Sequence, residues 1–267
     1  MPAFDPVTAV VRGIEVLRTI NQLDRPSVTE IHRHTKIPKP TVLRMIETLM
    51  SAGYVARVDG TATYTATGRC LLLSNGLRAH ARLTAVAGPL LAAFRKKVGW
   101  PSDIGIFDGD AMVIMATSRE FGVLSFNRKV GARTPMLLSA LGRAYVAFCT
   151  DEERQRTLDV LRQSTNPLDA TARRPAVVKR LLAETRERGF SLTDKAYLDS
   201  VYEGAIWGIG VPILAGGRTL AAMNVMFLRN ALSLESGISS LVPPLQQSAS
   251  RIGAELARDS FALLTAR

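Results

Sequence analysis

The sequence is poor in the residues that build disulfides and metal sites. It has two cysteines, Cys70 and Cys149, and three histidines among 267 residues. The cysteines match no disulfide or metal-ligand spacing, so we expect two reduced thiols. We also expect no metal ion and no other cofactor.

Long apolar segments are missing as well. No apolar run approaches the ~20 residues that a helix needs to cross a bilayer. The N-terminus has no basic segment ahead of an apolar stretch, which a secretory signal would have. The hydrophobic fraction of 47% is still enough for a buried core, and 267 residues suit two domains. We therefore expect a globular, cytoplasmic protein with no membrane partner.

Catalytic patterns are equally scarce. His32 and His34 are two residues apart and so do not face the same way on a helix. Ser139 lacks the flanking glycines of a nucleophile elbow. Asp108 and Asp110 flank a glycine between two strand patterns, which is most simply a turn. The sequence therefore argues against an enzyme.

Positive charge is in excess. The formal net charge is +11 at pH 7, which favours a polyanionic partner. The excess is spread along the chain. Within residues 25–57, however, six cationic side chains face only two acidic ones, Glu30 and Glu47. These cations are Arg25, Arg33, Lys36, Lys39, Arg44 and Arg57.

Two helices are predicted before residue 36. Residues 7–23 carry apolar residues at helical spacing, which predicts a helix buried along Val10, Ile14, Leu17 and Ile20. Ser27 followed by Glu30 is the capping-box pattern of a short second helix that ends near His34.

A third helix is predicted to begin abruptly at two prolines. Lys39 is expected to be extended or capping because it precedes a proline, and Pro40 suits the first helical position. One side of the helix is apolar and comprises Val42, Met45, Ile46 and Leu49. The opposite side is polar and comprises Thr41, Arg44, Thr48 and Ser51.

A hairpin follows the third helix. The segments "YVAR" and "TATYTA" alternate in polarity and are joined across Asp59-Gly60, a turn-favouring pair. Three helices and a hairpin make a winged helix-turn-helix, in which the third helix enters the major groove of DNA.

The rest of the chain mixes helices with antiparallel strand pairs. We predict a helical connector over 67–98, interrupted at Gly88-Pro89, and two strands around the Asp-Gly-Asp turn. A third strand within 122–136, a group of helices, an edge strand and loop over 190–200, and a strand pair around Gly216-Gly217 follow. A helix over 234–264 ends the chain. This order indicates an α+β domain of the GAF/PAS type.

Three motifs resemble the IclR family of bacterial transcriptional regulators. They are "PKPTVLRMIETLMSAGYV" (38–55), "VGARTPMLLSALGRAYVAF" (130–148) and "IGVPILAGGRTLAAMNV" (209–225). The resemblance covers essentially the whole chain and implies an α+β protein, with a winged helix-turn-helix joined by a helical linker to an effector-binding domain. The expected bounds are 1–66, 67–82 and 83–267. Further motifs resemble the branch that regulates aromatic-acid catabolism.

The expected DNA contacts lie on the third helix and beside it. Arg44 is the first candidate for reading a base, since arginine is the best reader of a guanine edge. Arg12 and Arg57 are expected to bind phosphates and set the register. The full set is Arg12, Lys39, Thr41, Arg44, Thr48 and Arg57. The alternative is that these residues are ordinary solubilising charge.

The resemblance also implies an effector pocket for a small carboxylic acid. Backbone N–H groups around Ser139–Gly142 would bind the carboxylate, and Asn224 would be buried and need a partner. Gly208 and Asn224 replace the side chains usual in the family and are expected to enlarge or re-polarise the pocket for a ligand bulkier than glyoxylate or pyruvate. The predicted lining is Phe126, Ser139, Ala140, Leu141, Asp199, Tyr202, Trp207, Gly208, Asn224 and Met226.

Together, these expectations predict a ligand-responsive transcriptional regulator of catabolic genes. One winged domain makes few DNA contacts, so a homodimer or homotetramer on an operator is expected. Two alternatives stay open: a GAF-like enzyme with an N-terminal docking module, and a constitutive DNA binder that has no effector.

Overall fold

The protein is described by a computed structural model that covers residues 4–74, 78–119 and 130–258. The chain divides into two compact units, Met1–Arg78 and Ala79–Arg267. The predicted effector contact Phe126 lies outside the described residues, as does most of the third strand expected within 122–136.

The first unit is a winged helix-turn-helix, which confirms the prediction. Its helices are α1 (Thr8–Gln22), α2 (Val28–Thr35) and α3 (Lys39–Ser51). The antiparallel strands β1 (Val55–Arg57) and β2 (Tyr64–Ala66) form the wing, and a 3-10 helix (Gly68–Ser74) follows. Gly60 turns the wing with φ of +71°, a value that glycine adopts without steric cost.

The capping box of α2 is present as predicted. The backbone N–H and the hydroxyl of Ser27 both donate to the Glu30 carboxylate at 2.7 Å, and these bonds lower the pKa of Glu30. At the other end of α2, Lys36 turns the chain with φ of +61°. The His32 ring nitrogen Nδ1 lies 2.7 Å from the Ile37 carbonyl oxygen and so ties α2 to the turn before α3.

The predicted buried side of α1 is wrong in its first half. Val10 and Ile14 are 58% and 63% exposed, whereas the buried residues are Val16, Thr19 and Ile20. At 100° per residue, Ile14 lies about 160° and Val10 about 120° around the helix from Val16. The helix therefore has two apolar sides. Spacing alone cannot tell which of them packs into the core.

The second unit is built on a six-stranded antiparallel sheet of order β5-β4-β3-β8-β7-β6. The strands are β3 (Asp103–Asp108), β4 (Ala111–Thr117), β5 (Arg133–Pro135), β6 (Ser191–Leu192), β7 (Ile206–Ala215) and β8 (Arg218–Leu228). The helices are α4 (Arg78–Val98), α5 (Ala140–Phe148), α6 (Asp151–Gln163), α7 (Pro175–Arg188), α8 (Lys195–Tyr202) and α9 (Leu234–Arg258). A second 3-10 helix spans Pro167–Arg173.

Helices cover both faces of this sheet. Helices α4 and α9 cover one face, here called the α9 face, through side chains such as Leu91 and Leu245. Helix α5 covers the other, here called the α5 face, and Leu161 of α6 and Leu182 of α7 belong to the same core as α5. Residues on alternate positions of β7 and β8 therefore belong to different cores.

Two of the predicted boundaries in the second unit are wrong. Helix α4 runs through Gly88-Pro89 without ending, since a proline removes one helix hydrogen bond and neighbouring packing can hold the helix together. The loop expected before residue 200 contains α8. It begins because the Asp194 side chain accepts from the Tyr197 N–H at 3.1 Å, which is an N-cap.

Two glycines let α5 sit close to the backbone. A Cβ at Gly142 would lie 2.3 Å from the Met136 carbonyl oxygen, and one at Gly210 would lie 2.5 Å from the Ala140 carbonyl oxygen. No side chain fits at such distances. The start of α5 is therefore held tightly against β7, where the sequence predicts the effector pocket.

Candidate DNA-binding surface and effector pocket

Helix α3 has one buried and one exposed side. Val42 and Ile46 are fully buried in the core of the first unit. Lys39, Arg44 and Thr48 are exposed, and Thr41 is half-buried. Burial of Val42 and Ile46 sets the rotation of the helix about its axis, so the polar residues are held outward.

The start of α3 is electropositive. The helix begins at Lys39, one residue earlier than expected, with Pro38 as its N-cap and Pro40 in its first turn. Its first turn contains no acidic residue. The unpaired N–H groups at a helix N-terminus carry partial positive charge, which adds to that of Lys39.

Hydrogen bonds restrict two of the predicted contacts. The Thr48 hydroxyl donates to the Arg44 carbonyl oxygen at 2.8 Å, so its proton is used within the helix. Arg57 is exposed on β1, and its Nε donates to the Thr61 carbonyl oxygen at 3.1 Å across the wing turn. That bond aligns the guanidinium with the wing. Arg12 is exposed on α1.

The α5 face brings together several predicted effector residues. Gly208 pairs with Met226 and Gly210 pairs with Asn224 across β7 and β8, and paired residues lie on the same face. The Ala140 carbonyl packs over Gly210, as described above. Leu141 lies against Gly105 of β3, with its Cδ1 3.1 Å from where a Cβ would be.

Tyr202 joins this group from α8. It is 3% exposed and packs in a cluster with Leu198, Ile206 and Met226. Helix α8 therefore supplies an aromatic side chain beside Met226, while the role of both in an effector pocket stays a prediction.

Trp207 borders both cores of the second unit. It pairs with Phe227, whose side chain lies in the core of the α9 face, and its partly buried side chain packs against that core. It also packs against the cluster that contains Tyr202 and Met226. The indole ring stacks with the Arg229 guanidinium, whose central carbon is 4.0 Å from the ring centroid. Its place in the wall of an effector pocket stays a prediction.

Asp199 lies at the edge of the sheet. Its Oδ1 accepts from Arg229 Nη1 at 3.1 Å, and its side chain is 47% exposed. The carboxylate is thus already occupied by a cation. To bind a ligand, Asp199 would have to share or leave Arg229.

Thr193 fills the space that Gly208 leaves. A Cβ at Gly208 would lie 2.4 Å from Thr193 Oγ1, so a hydroxyl group lies close to this position of the sheet. The expected effect of Gly208 on an effector pocket stays a prediction.

Ser139 is used in the structure of α5 itself. It is buried, its hydroxyl donates to the Pro135 carbonyl oxygen at 2.7 Å, and it accepts from the Gly142 N–H at 3.0 Å. The Arg143 N–H donates to the Ser139 carbonyl oxygen. Two N–H groups expected near a ligand, those of Ser139 and Gly142, therefore already bond within the protein.

An ion pair that the sequence did not predict lies on the α5 face, where β3 begins and β4 has ended. Arg119 donates to both carboxylate oxygens of Asp103, from Nε at 2.9 Å and from Nη2 at 2.6 Å. The two side chains are 6% and 0% exposed. Burial alone lowers the pKa of Arg119, but the hydrogen bonds and charge of Asp103 outweigh it, so this pKa is raised.

Asn224 and Thr117 complete the network around Asp103. Asn224 Oδ1 accepts from the Asp103 backbone N–H at 2.7 Å, and its Nδ2 donates to the carboxylate at 3.3 Å. The Thr117 hydroxyl donates to the same carboxylate at 2.8 Å. Asn224 is 4% exposed, which confirms that it is buried and has a partner. Its amide is committed to Asp103.

The sequence carried only part of the signal for this network. An acid at the start of a buried strand needs a partner, but the hairpin register does not identify it. Counted from the turn, where Asp108 pairs with Ala111, a regular register would pair Asp103 with Ala116 and put Thr117 and Arg119 on the other face. A β-bulge between Ile104 and Gly105 shifts the register by one residue, so Asp103 pairs with Thr117 instead.

Two family models match the chain and together cover most of it. The model described as the IclR helix-turn-helix domain matches residues 9–59. The model described as the bacterial transcriptional regulator IclR C-terminal domain matches residues 77–254.

Individual relatives agree with these matches. A protein named "Probable transcriptional regulator SauR" from Cupriavidus necator is 26% identical over 247 residues, 90% of this chain and 94% of that one. A crystal structure of an IclR homologue from Microbacterium hydrocarbonoxydans, complexed with 4-hydroxybenzoate, has a TM-score of 0.67 at 22% identity. It covers 94% of this chain and 100% of that one. An IclR family regulator from Brucella abortus has a TM-score of 0.63 at 23% identity, over 94% and 93% of the two chains.

Among the described residues, no helix is both long enough and apolar enough to cross a membrane.

Removing the buried carboxylate should destabilise the second unit. We expect Asp103→Ala to lower the free energy of unfolding by about 3–5 kcal/mol, because the buried Arg119 guanidinium loses its carboxylate. Asp199→Ala is the matched control and should cost about 1 kcal/mol or less, since its pair with Arg229 is partly exposed. Urea unfolding followed by circular dichroism measures both. Equal losses would contradict the energetic weight given to Asp103.

Proposed function

The chain belongs to the IclR family of bacterial transcriptional regulators, and from this premise we propose that α3 reads operator DNA while the α5 face senses a small aromatic carboxylic acid. The families it matches are regulators and not enzymes. The observation that carries the proposal is the two-sided helix α3, buried through Val42 and Ile46 and exposed through Arg44. Because the target is chromosomal DNA, we propose a cytoplasmic location.

The DNA contacts divide by chemistry. Arg44 projects from the exposed side of α3, and its guanidinium can donate two parallel hydrogen bonds to the O6 and N7 of guanine. Lys39 and the partly exposed Thr41 stand at the tip of the helix, close to where it would enter the groove. Arg57, fixed along the wing by its bond to Thr61, and Arg12 on α1 would bind phosphates.

The division predicts different effects of two arginine substitutions. We expect Arg44→Ala to weaken binding to operator DNA about 5- to 150-fold, the loss of ~1–3 kcal/mol for a bidentate base contact, with a much smaller effect on random DNA. Arg57→Ala should weaken binding to operator and random DNA by a similar factor. It should also reduce the slope of log K against log salt concentration by up to about one. Fluorescence anisotropy at several salt concentrations measures both variants.

The contrary results are specific for each residue. If Arg44→Ala loses the same factor on operator and random DNA, Arg44 does not read a base. If Arg57→Ala leaves the salt slope unchanged, Arg57 does not neutralise a phosphate.

A second copy of the chain is the proposed partner of α1. Val7, Val10, Val11 and Ile14 form an exposed apolar stripe on the side of α1 opposite the core. Their spacing of three and four residues places them on one helix face. A single winged domain reads a short site, so two copies joined near their DNA-binding units would provide the affinity of a longer one. A homotetramer would pair two such dimers.

A charge within the stripe tests this interface. We expect Ile14→Glu to reduce the measured mass toward that of one chain, since two carboxylates would face each other in an apolar contact. Val160→Glu on α6, where the valine is 50% exposed, is the matched control and should leave the mass unchanged. Light scattering after gel filtration measures the mass. An unchanged assembly of Ile14→Glu, or dissociation of the control alone, would contradict the assignment.

The effector proposal draws on the α5 face. Ala140, Leu141, Tyr202 and Met226 surround it with apolar and aromatic surface, and the Asp103–Arg119 pair adds a polar group. Ligand sites commonly combine such surfaces with few polar groups. The structural neighbour from Microbacterium hydrocarbonoxydans holds 4-hydroxybenzoate. We propose that an aromatic carboxylate binds here and shifts the population of DNA-binding arrangements by its differential affinity for them.

Thermal unfolding with added acids tests the effector class. We expect 4-hydroxybenzoate or a related aromatic acid to raise the melting temperature of the full chain, because a ligand of the folded state stabilises it by about 2.7 kcal/mol at 100 times its Kd. Glyoxylate and pyruvate serve as aliphatic controls and should have smaller effects. A response to the aliphatic acids alone contradicts the aromatic class, and no response to any acid would favour a constitutive DNA binder.

A further inference from the structure

The recognition surface of α3 includes a partly exposed apolar residue outside the core of the first unit. Leu43 is 41% exposed, whereas its neighbour Val42 and the residue one turn later, Ile46, are fully buried. Val42 and Ile46 form the core with Met45 and Leu49 packed against it, and Leu43 is not among these residues. Part of the Leu43 side chain is therefore available for a contact outside the protein.

Leu43 lies among the residues expected to meet DNA. It is four residues after Lys39, so the two share one side of the first helical turns. It directly precedes Arg44. The N-terminal residues of a recognition helix contact base edges in the major groove, so a side chain at this position lies over bases more readily than over phosphates.

An apolar side chain at this place has one chemical match in the major groove. Each base pair presents donors and acceptors there, and thymine alone adds an apolar group, its C5 methyl. Exposed leucine cannot hydrogen-bond to any base edge. Contact with a methyl removes apolar surface of both partners from water, which is favourable.

We propose that Leu43 recognises the C5 methyl group of a thymine and so sets base preference next to the pair read by Arg44. The inference rests on the proposed function, in which α3 reads DNA. It adds an apolar contact to the polar contacts predicted from the sequence. Burying one methyl is worth about 0.8 kcal/mol, a factor of about four in Kd.

The test removes the methyl without changing any hydrogen bond. Full-length protein first selects its sites from random duplex DNA. Each thymine of the selected site is then replaced in turn by uracil, which lacks only the C5 methyl, and Kd is measured by fluorescence anisotropy. We expect one thymine in each half-site whose replacement weakens binding about fourfold.

A double-mutant cycle assigns that loss to Leu43. Leu43→Ala should weaken binding to the thymine site by a similar factor and should no longer distinguish thymine from uracil at that position. Met50→Ala is the matched control, because Met50 is also exposed on α3, at 38%, but in its last turn. It should keep the full thymine dependence. Circular dichroism confirms that each variant is folded.

The outcomes separate this inference from the proposed function. If selection enriches no site, the proposal that α3 reads DNA is refuted, and so is the Leu43 contact that rests on it. If a site is enriched but no uracil replacement weakens the wild type, or Leu43→Ala remains sensitive to the methyl, the Leu43 contact is refuted while DNA reading stands.

Discussion

The burial of Val42 and Ile46 is the constraint on which the DNA-reading surface depends. Both side chains are fully buried against α1 and α2. Val42 and Ile46 are about 40° apart around the helix, so rotating α3 by a single residue, about 100°, would turn both toward solvent and carry Arg44 toward the core. Burying an unpaired guanidinium is costly, whereas burying valine or isoleucine is favourable. The small core thus determines which side chains point outward, and the chemistry of those side chains determines the function.

The fold of the second unit depends on the close approach of α5 to the sheet. Gly142 and Gly210 let α5 lie against the sheet, and the buried pair of Asp103 and Arg119 occupies the space beside it. Ion pairs of this kind seldom add net stability compared with apolar residues of equal size. The Asp103–Arg119 pair instead keeps a polar group on the otherwise apolar α5 face. A ligand there would meet a network whose hydrogen bonds are already satisfied, so it would bind by fitting around the network.

The sequence predicted most accurately where a local interaction decides the structure. The capping box of Ser27 and the turn at Gly60 involve neighbours a few residues apart, and both were predicted correctly. Errors arose where packing between distant segments decides. The buried side of α1 depends on which helix covers which surface, and the partner of Asp103 depends on a β-bulge that shifts the hairpin register. Local spacing carries no information on either.

The central claim is that α3 places a guanidinium against a guanine in the major groove. Methylation interference tests it directly, because dimethyl sulfate adds a methyl to guanine N7, the atom that Arg44 would bond. Duplexes selected by the full-length protein are methylated sparsely, and bound and free fractions are compared. The account predicts one or two guanines in each half-site whose methylation excludes the duplex from the bound fraction. A specific complex that tolerates methylation at every guanine would contradict it.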